Sequence, residues 1–323
     1  MIRGFTSVDG KLRPVETPMA GFDRLVWIDL ANPTAEEEAH VEHRLAIDIP
    51  TLEEMQEIEE SNRLYIEGNA TVMTALVPWG VAEGKPAMGP MTFVLTGGRL
   101  ITIRYHAPKS VVGFASWAEK IGVDCSNGEA TLVGLLESII NREADILEEC
   151  SRQIDTVSAS IFREELAANE TSRDFKTLLY QLGRAGELAT KVRDSLVTLD
   201  RMVTFLYQIV VSRKGTSEKR ARLKAVLRDV DSLTAHSDSL SQKVTFLLDA
   251  TLGLVNIEQN SIIKIFSVVA VIFLPPTLVA SIYGMNFDHM PELHFDLGYP
   301  LAILLMLVSA FLPYLFFKRK GWL

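Results

Sequence analysis

Two long stretches without a charged residue stand out near the end of the chain. The first comprises the 23 residues Ile265–Phe287, and the second comprises the 21 residues Leu297–Phe317. As a helix, the first would span roughly 34 Å, against about 30 Å for the hydrocarbon core of a bilayer. Such runs are rare in soluble cores. The pattern therefore predicts transmembrane helices at about 265–285 and 297–317, joined by a loop at about 286–296. Buried core helices are the alternative.

Apolar residues recur at three-, four- and seven-residue steps between about residue 130 and the first of these stretches. The three runs are Ile140, Leu147, Ile154 and Ile161; Phe175, Leu178, Leu182, Val192, Leu196, Leu199 and Leu206; and Val226, Leu233, Leu240, Leu247 and Leu254. This spacing predicts helices that each bury one stripe, with breaks near 167–171 and 215–217. No proline or glycine pair stops the third run. We therefore expect one helix over about 218–284, roughly 100 Å long, which could carry cytoplasmic motion into the bilayer.

The first part of the chain has a mixed pattern. Leu25–Leu30 reads as a strand, and Thr34 follows as the N-cap of a helix with acidic residues in its first turn. Ala70–Pro78 and Met91–Tyr105 are rich in β-formers, and Thr96–Arg99 reads as a hairpin turn. We expect an α+β membrane protein with a cytoplasmic α/β domain at 1–125, a helical region and stalk at 126–260, and a transmembrane region at 261–323.

Charge and motif content exclude several classes of protein. Residues 1–260 hold 28 basic and 38 acidic side chains, whereas 261–323 hold only 4 and 3. An acidic soluble part argues against nucleic-acid binding. Two cysteines, Cys125 and Cys150, cannot form a disulfide framework and fit a reducing cytosol. No glycine-rich phosphate loop, HExxH or CxxC motif is present. We therefore expect neither an enzyme nor a resident cofactor.

The distribution of basic residues predicts the orientation in the membrane. Lys318, Arg319 and Lys320 follow the second span directly, whereas the connecting loop has no Lys or Arg. The positive-inside rule places the C-terminus in the cytoplasm and the loop outside. Two spans return the chain to its starting side, and the N-terminus lacks the apolar segment of a signal peptide. We expect a multi-pass inner-membrane protein with both termini cytoplasmic.

One face of the first span is small or mildly polar. It carries Asn260, Ile263, Ser267, Ala270, Leu274, Thr277, Ser281 and Gly284. Such a face suits close helix packing or the wall of a pore, and a pore would require several copies of the chain. The span ends in Gly284, Met285 and Asn286. A ring of Asn amide oxygens would suit Mg²⁺, which sheds its waters reluctantly. A plain helix cap is the alternative.

The segment Tyr283-Gly-Met-Asn-Phe-Asp-His-Met-Pro-Glu-Leu293 resembles the signature of CorA-type magnesium transporters. The resemblance continues through 256–260, 262–266, 273–280 and 314–323. It implies a homopentamer with a cytoplasmic funnel and long stalk helices that become the pore-lining spans. By motif position, it implies a selectivity filter of Gly284, Met285 and Asn286. It likewise implies pore-lining Asn260 and Thr277, a hydrophobic gate of Ile263 and Phe266, and a basic collar of Lys264 with Lys318, Arg319 and Lys320.

The function implied is Mg²⁺ uptake driven by the membrane potential and gated by cytosolic Mg²⁺, with Co²⁺ and Ni²⁺ as further candidate ions. Asp229 and Asp231 resemble part of a regulatory metal site, or they are solvated stalk charges, since only Glu83 is acidic within 80–95. The partners implied are further copies of the chain, lipid and divalent cations. The alternatives are a ZntB-like zinc transporter, with proton coupling left open, and a membrane-anchored helical interaction protein without transport.

Overall fold

The computed structural model describes residues 1–18, 21–57, 59–162, 175–213, 215–286 and 295–322. The chain forms two compact units, Met1–Leu247 and Leu248–Leu323. The first unit holds a β-sheet with helices on both faces, and the second holds the apolar helices near the C-terminus.

The described residues of the first unit form one seven-stranded sheet. Its strands are β1 (Ile2–Val8), β2 (Lys11–Val15), β3 (Trp27–Ala31), β4 (Leu64–Glu67), β5 (Ala70–Trp79), β6 (Ala87–Thr96) and β7 (Arg99–Arg104). Their order is β2-β1-β3-β7-β6-β5-β4, and β3 and β7 pair in parallel while the other neighbours are antiparallel. The predicted hairpin turn is confirmed, because Thr96 pairs with Arg99 across Gly97 and Gly98, whose φ angles are 54° and 78°.

The helices follow the predicted apolar periodicity. They are α1 (Ala35–Leu45), α2 (Leu52–Gln56), α3 (Glu60–Arg63), α4 (Lys109–Val112), α5 (Phe114–Ile121), α6 (Gly128–Phe162), α7 (Phe175–Ser212), α8 (Ser217–Tyr283) and α9 (Gly298–Arg319), with a short 3₁₀ turn at Phe22–Arg24. The continuous helix expected over about 218–284 is confirmed as α8, and the expected break before it separates α7 from α8. The break predicted near 167–171 lies outside the described residues.

The first helix begins as its sequence predicts. Thr34 Oγ accepts a hydrogen bond from the Glu37 backbone N–H, and the Glu37 carboxylate accepts one from the Thr34 backbone N–H. This reciprocal capping box fixes the start of α1. Helix α1 then buries Val41 in the core on one face of the sheet, against Ile28 and Leu30 of β3 and Ile101 of β7.

A buried ion pair joins the two parallel strands at the centre of the sheet. Arg104 Nη2 lies 2.8 Å from Asp29 Oδ2, and the side chains are 4% and 0% exposed. Arg104 Nε and Thr102 Oγ1 both donate to Asp29 Oδ1, at 3.0 and 2.9 Å. Trp27 Nε1 in turn donates to Thr102 Oγ1 at 3.0 Å. The carboxylate is therefore paired and hydrogen-bonded, as a buried charge requires.

The opposite face of the sheet packs against α6 and α7 through a second buried polar group. Ser195 of α7 donates from Oγ to the Leu76 carbonyl oxygen of β5 at 2.6 Å, and Thr198 Oγ1 accepts from the Leu76 N–H at 2.9 Å. The Ser195 hydroxyl also makes a short hydrogen bond with Glu143 Oε1 of α6. Burial raises the pKa of the Glu143 carboxyl to about 8, so this network joins β5, α6 and α7 around a carboxyl that is uncharged at neutral pH.

Candidate pore helix

The small and mildly polar face predicted for the first span is uncovered in the second unit. All eight of its residues are exposed, and they are Asn260, Ile263, Ser267, Ala270, Leu274, Thr277, Ser281 and Gly284. We call this set the α8 stripe. Ile263 is 61% exposed and Leu274 is 66% exposed. Packing within one chain therefore leaves the stripe available to another surface.

Two hydroxyl groups of the stripe are oriented by their own helix. Ser267 Oγ donates to the Ile263 carbonyl oxygen and Thr277 Oγ1 donates to the Phe273 carbonyl oxygen, both at 2.7 Å. A hydroxyl has one proton, so after this donation the oxygen presents only acceptor lone pairs to its surroundings. Water bound to Mg²⁺ donates hydrogen bonds, so these oxygens suit the hydration shell of a divalent cation.

A different side of α8 is covered. Val268 is 1% exposed, and Ile272, Pro275, Val279 and Tyr283 are half-buried. Helix α9 carries a complementary row of its own, with Ala302 6% exposed and Met306, Ser309, Ala310, Pro313 and Phe317 half-buried. A cavity of about 430 Å³ is lined by Ala280 and Tyr283 of α8 and by Ala302 and Met306 of α9. Helices α8 and α9 therefore lie side by side within this unit, and Gly284 at the end of the stripe also lines the cavity between them.

The predicted filter residues follow the end of α8. The Gly284 N–H donates to the Ala280 carbonyl oxygen at 3.0 Å, and the Met285 N–H donates to the Ile282 carbonyl oxygen at 3.3 Å. The φ angle of Gly284 is not positive. Its requirement is one of space, because a Cβ here would lie 3.1 Å from the Ala280 carbonyl oxygen. Asn286 is exposed, and the predicted loop motif at 287–294 lies outside the described residues.

The predicted hydrophobic gate and basic collar lie at the other end of the membrane half of α8. Phe266 is 71% exposed, one turn from Ile263. Lys264 Nζ lies 5.9 Å from the centroid of the Trp322 ring, and that ring stacks on Phe317 at 5.4 Å. Gly321, with φ 68°, turns the chain back so that the Trp322 N–H donates to the Phe317 carbonyl oxygen at 3.1 Å. The end of the chain thus holds the Lys264 ammonium by a cation–π contact.

Asp229 and Asp231 do not share a site within one chain. Both are exposed on α8, on either side of the buried Val230. Asp229 lines a cavity of about 230 Å³ with Glu137. Asp231 instead lies near Asp200 of α7, whose pKa is raised by burial first and by the charge of Asp231 second. In the part of the chain that the structure describes, no group of three or more His, Cys, Asp or Glu side chains could hold a metal ion.

Length and composition identify three described helices that could cross a membrane, namely α7, α8 and α9. The three helices differ in how much of their apolar surface is buried within the protein. Within the protein, 44% of the most apolar window of α7 is buried, against 6% for α8 and for α9. Helix α7 therefore has a protein core to cover it, whereas the apolar surfaces of α8 and α9 require lipid or further protein.

Comparison with known proteins gives one consistent result. A model of the family described as "CorA-like Mg2+ transporter protein" matches residues 22–319. The Magnesium transport protein CorA of Haemophilus influenzae is 34% identical over 325 residues, covering all of both chains. The Escherichia coli K12 protein of the same name is 36% identical over 298 residues, 92% of each chain. The complete structure of the CorA magnesium transporter from Methanocaldococcus jannaschii has the same fold, with a TM-score of 0.77 at 20% identity, covering 100% of this chain and 99% of that one.

The family match defines the class of protein as a membrane transport protein and not an enzyme. The chain belongs to the family of CorA-like Mg²⁺ transporter proteins. Mg²⁺ transport is the activity that this membership assigns to it.

Proposed function

We propose that α8 of several copies of this chain lines a pore through which Mg²⁺ enters the cytoplasm. The observation that carries the proposal is the exposed α8 stripe, because α9 packs against another side of the helix and meets the stripe at its Gly284 end. Two helices from one chain cannot enclose an aqueous path, so the proposal requires an oligomer. The resemblance of the sequence favours a homopentamer, with α8 and α9 as its two spans per subunit and both termini in the cytoplasm of the inner membrane.

The filter would consist of Gly284, Met285 and Asn286 at the outer end of α8. An Asn amide oxygen accepts hydrogen bonds from the waters of a hydrated ion and carries no net charge. Carboxylates in the same place would hold a divalent ion more tightly and release it more slowly. Asn260 and Thr277 would line the path, and Ile263 and Phe266 would form a hydrophobic constriction that closes by excluding water.

The membrane potential would supply the driving force. An inside-negative potential of about 100 mV contributes roughly 2.3 kcal/mol per charge, hence roughly 4.6 kcal/mol for a divalent ion. This is enough for inward movement against a concentration ratio of about 1,000, since each factor of ten corresponds to about 1.4 kcal/mol. Uptake then needs no nucleotide hydrolysis.

Gating would depend on cytosolic Mg²⁺ at acidic positions of α8. The soluble part carries ten more acidic than basic side chains, from 38 and 28 in residues 1–260. Divalent ions between subunits would reduce the repulsion among groups such as Asp229 and Asp231 and favour a closed state. Asp229→Asn with Asp231→Asn should therefore leave flux less sensitive to Mg²⁺ on the cytosolic side. Unchanged inhibition by cytosolic Mg²⁺ would remove both residues from the gate.

The test of the pore is Mg²⁺ flux into proteoliposomes that contain the Asn286→Ala variant. We expect the initial rate to fall at least tenfold, because the ring of amide oxygens is lost. Val269→Ala is a matched control, since Val269 is 46% exposed on α8 away from the stripe, and it should retain the wild-type rate. Wild-type flux through Asn286→Ala would refute the filter. A purified complex near 180 kDa, five times the 35.9 kDa of one chain, is expected, and a monomer or dimer would refute the pore.

The same vesicles separate the alternatives. The zinc-transporter alternative predicts Zn²⁺ entry that depends on a pH gradient and exceeds Mg²⁺ entry. The interaction-protein alternative predicts no ion entry at all. Parallel measurements with Co²⁺ and Ni²⁺ determine whether these ions use the same path.

A further inference from the structure

A cavity of about 470 Å³ lies in the first unit, far along the sequence from the stripe. Five chain segments meet there: the β4–β5 turn at Asn69, the β6–β7 turn, the start of α6, the end of α7 and the start of α8. Its volume falls within the range of roughly 300–1,000 Å³ that is typical of small-molecule sites. The transport mechanism proposed above makes no use of it.

The cavity is cationic inside an acidic domain. Arg99, Arg213 and Lys219 line it, and Glu129 is its single acidic lining residue among the residues that the structure describes. Lys219 Nζ lies 2.8 Å from Glu129 Oε2, and Arg99 Nη2 donates to the Asp23 carbonyl oxygen at 3.0 Å. Three cations against one carboxylate give the lining a surplus of two positive charges, although the surrounding domain is negative. An anionic ligand would be attracted.

The positive character comes from side chains and not from helix ends. At the start of α6, the Gly128 N–H donates to the Gly98 carbonyl oxygen at 2.7 Å and the Ala130 N–H donates to Asn127 Oδ1 at 3.0 Å. At the start of α8, the Lys219 N–H donates to Thr216 Oγ1 at 3.4 Å. These three backbone donors are thus already used. Arginine is the side chain best suited to phosphate, because its planar guanidinium binds two oxygens together.

The remaining wall is apolar. Leu206, Ile209 and Val210 at the end of α7 line it, and Ile209 and Val210 are 8% and 4% exposed. An apolar wall beside a cluster of cations fits a molecule that has a flat, weakly polar part and a charged part. Inorganic phosphate would use only the cations and would make no contact with this wall.

We propose that this cavity binds a nucleoside phosphate. The phosphate lies between Arg99, Arg213 and Lys219, and the base lies against Ile209, the most exposed of the three wall residues. A bound phosphate competes with Glu129 for Lys219, and this ion pair links α6 to the first turns of α8. The Arg222–Glu137 contacts, at 2.9 Å to both carboxylate oxygens, and the Lys243–Asp155 ion pair also link the two helices. The ligand therefore binds where the long helix begins.

The test is isothermal titration of the full-length protein in detergent, without Mg²⁺, with AMP, ADP, adenosine and inorganic phosphate as separate probes. We expect AMP and ADP to bind at least tenfold more tightly than either adenosine or phosphate. Arg213→Gln should weaken AMP binding at least tenfold. Arg213 is exposed, so this variant should keep the wild-type melting temperature. Arg220→Gln is the matched control, because Arg220 is an exposed arginine on α8 outside the cavity lining.

Three results would overturn the proposal: no binding of either nucleotide, equal binding of phosphate and AMP, or equal loss of binding in Arg213→Gln and Arg220→Gln. The last result would indicate attraction by overall charge. The assay measures no ion flux, so its outcome is independent of the transport proposal.

Discussion

Replacing the buried Glu143 by glutamine should make the soluble unit more stable at neutral pH. Ser195 Oγ contacts two acceptors, the Leu76 carbonyl oxygen and Glu143 Oε1, but it has one proton to donate. A protonated Glu143 satisfies both contacts, because the carboxyl donates to Ser195 and Ser195 donates to Leu76. Glu143 Oε2 is buried without a hydrogen-bond partner among the described residues, which makes the ionised form costly. Both observations agree with a carboxyl that is neutral in the folded protein.

The magnitude follows from the pKa of about 8 in the folded protein and its ordinary value of 4.5. Below pH 4.5 the carboxyl is protonated in both states and costs nothing. As the pH rises from 4.5 to 8, only the unfolded chain loses the proton, so the free energy of unfolding falls by about 1.4 kcal/mol per pH unit. At pH 7 this amounts to roughly 3 kcal/mol. Above pH 8 both states are ionised, and the dependence on Glu143 ends.

Glutamine keeps the shape and can donate to Ser195 from its amide, so Glu143→Gln should remove most of this loss. We expect a gain of about 1–3 kcal/mol at pH 7, or roughly 2–10 °C in melting temperature for a unit of this size, and no gain at pH 4.5. Near-UV circular dichroism during heating between pH 4.5 and 8.5 measures both. Glu148→Gln is the control, since the Glu148 side chain is 70% exposed on the same helix. Parallel pH curves for wild type and Glu143→Gln would refute protonation of the buried carboxyl.

Two further changes test particular contacts. Asp29→Asn leaves Arg104 buried without the carboxylate that lies 2.8 Å away. The free energy of unfolding should therefore fall by about 3–5 kcal/mol. A loss below about 1 kcal/mol in thermal unfolding would contradict a stabilising role for this ion pair. A double-mutant cycle of Lys264→Met and Trp322→Leu should show a coupling of about 0.5–1 kcal/mol in melting experiments, from the cation–π contact at 5.9 Å, and strictly additive effects would rule the contact out.

The sequence predicted those elements whose conformation is determined by residues close together along the chain. The length of α8 followed from an apolar repeat that no proline or glycine pair interrupts before the first long uncharged stretch, and the helix continues through Pro275 and Pro276. The turn at Gly97 and Gly98 followed from two glycines that can adopt positive φ. Strand β1 was not predicted, because Ile2–Val8 mixes polar and apolar residues without clear alternation. Its place in the sheet depends on pairing with β3, more than twenty residues later.

The buried polar groups could not be found from the sequence, because their partners are distant along the chain. Asp29 and Arg104 are 75 residues apart and become neighbours only through the parallel pairing of β3 and β7. Glu143 follows Asn141 and Arg142 and reads as a surface position of a helix, but it is 0% exposed. Its partner Ser195 is 52 residues away. The cationic cavity likewise combines Arg99 with Arg213, which no sequence motif connects.

The α8 stripe could be predicted from the sequence as a pattern. The pattern has two interpretations, a surface for helix packing and the wall of a pore. Small residues on a lipid-facing side leave shallow grooves that lipid chains fill less well than another helix does. Within one chain Ala270 and Ser281 are exposed, so α9 does not fill the grooves beside them. Further copies of the chain are then needed for helix packing and for a pore wall alike. The two interpretations differ in whether water reaches Asn286. Helices that only pack together tolerate loss of the Asn286 amide, whereas an ion path past Asn286 does not.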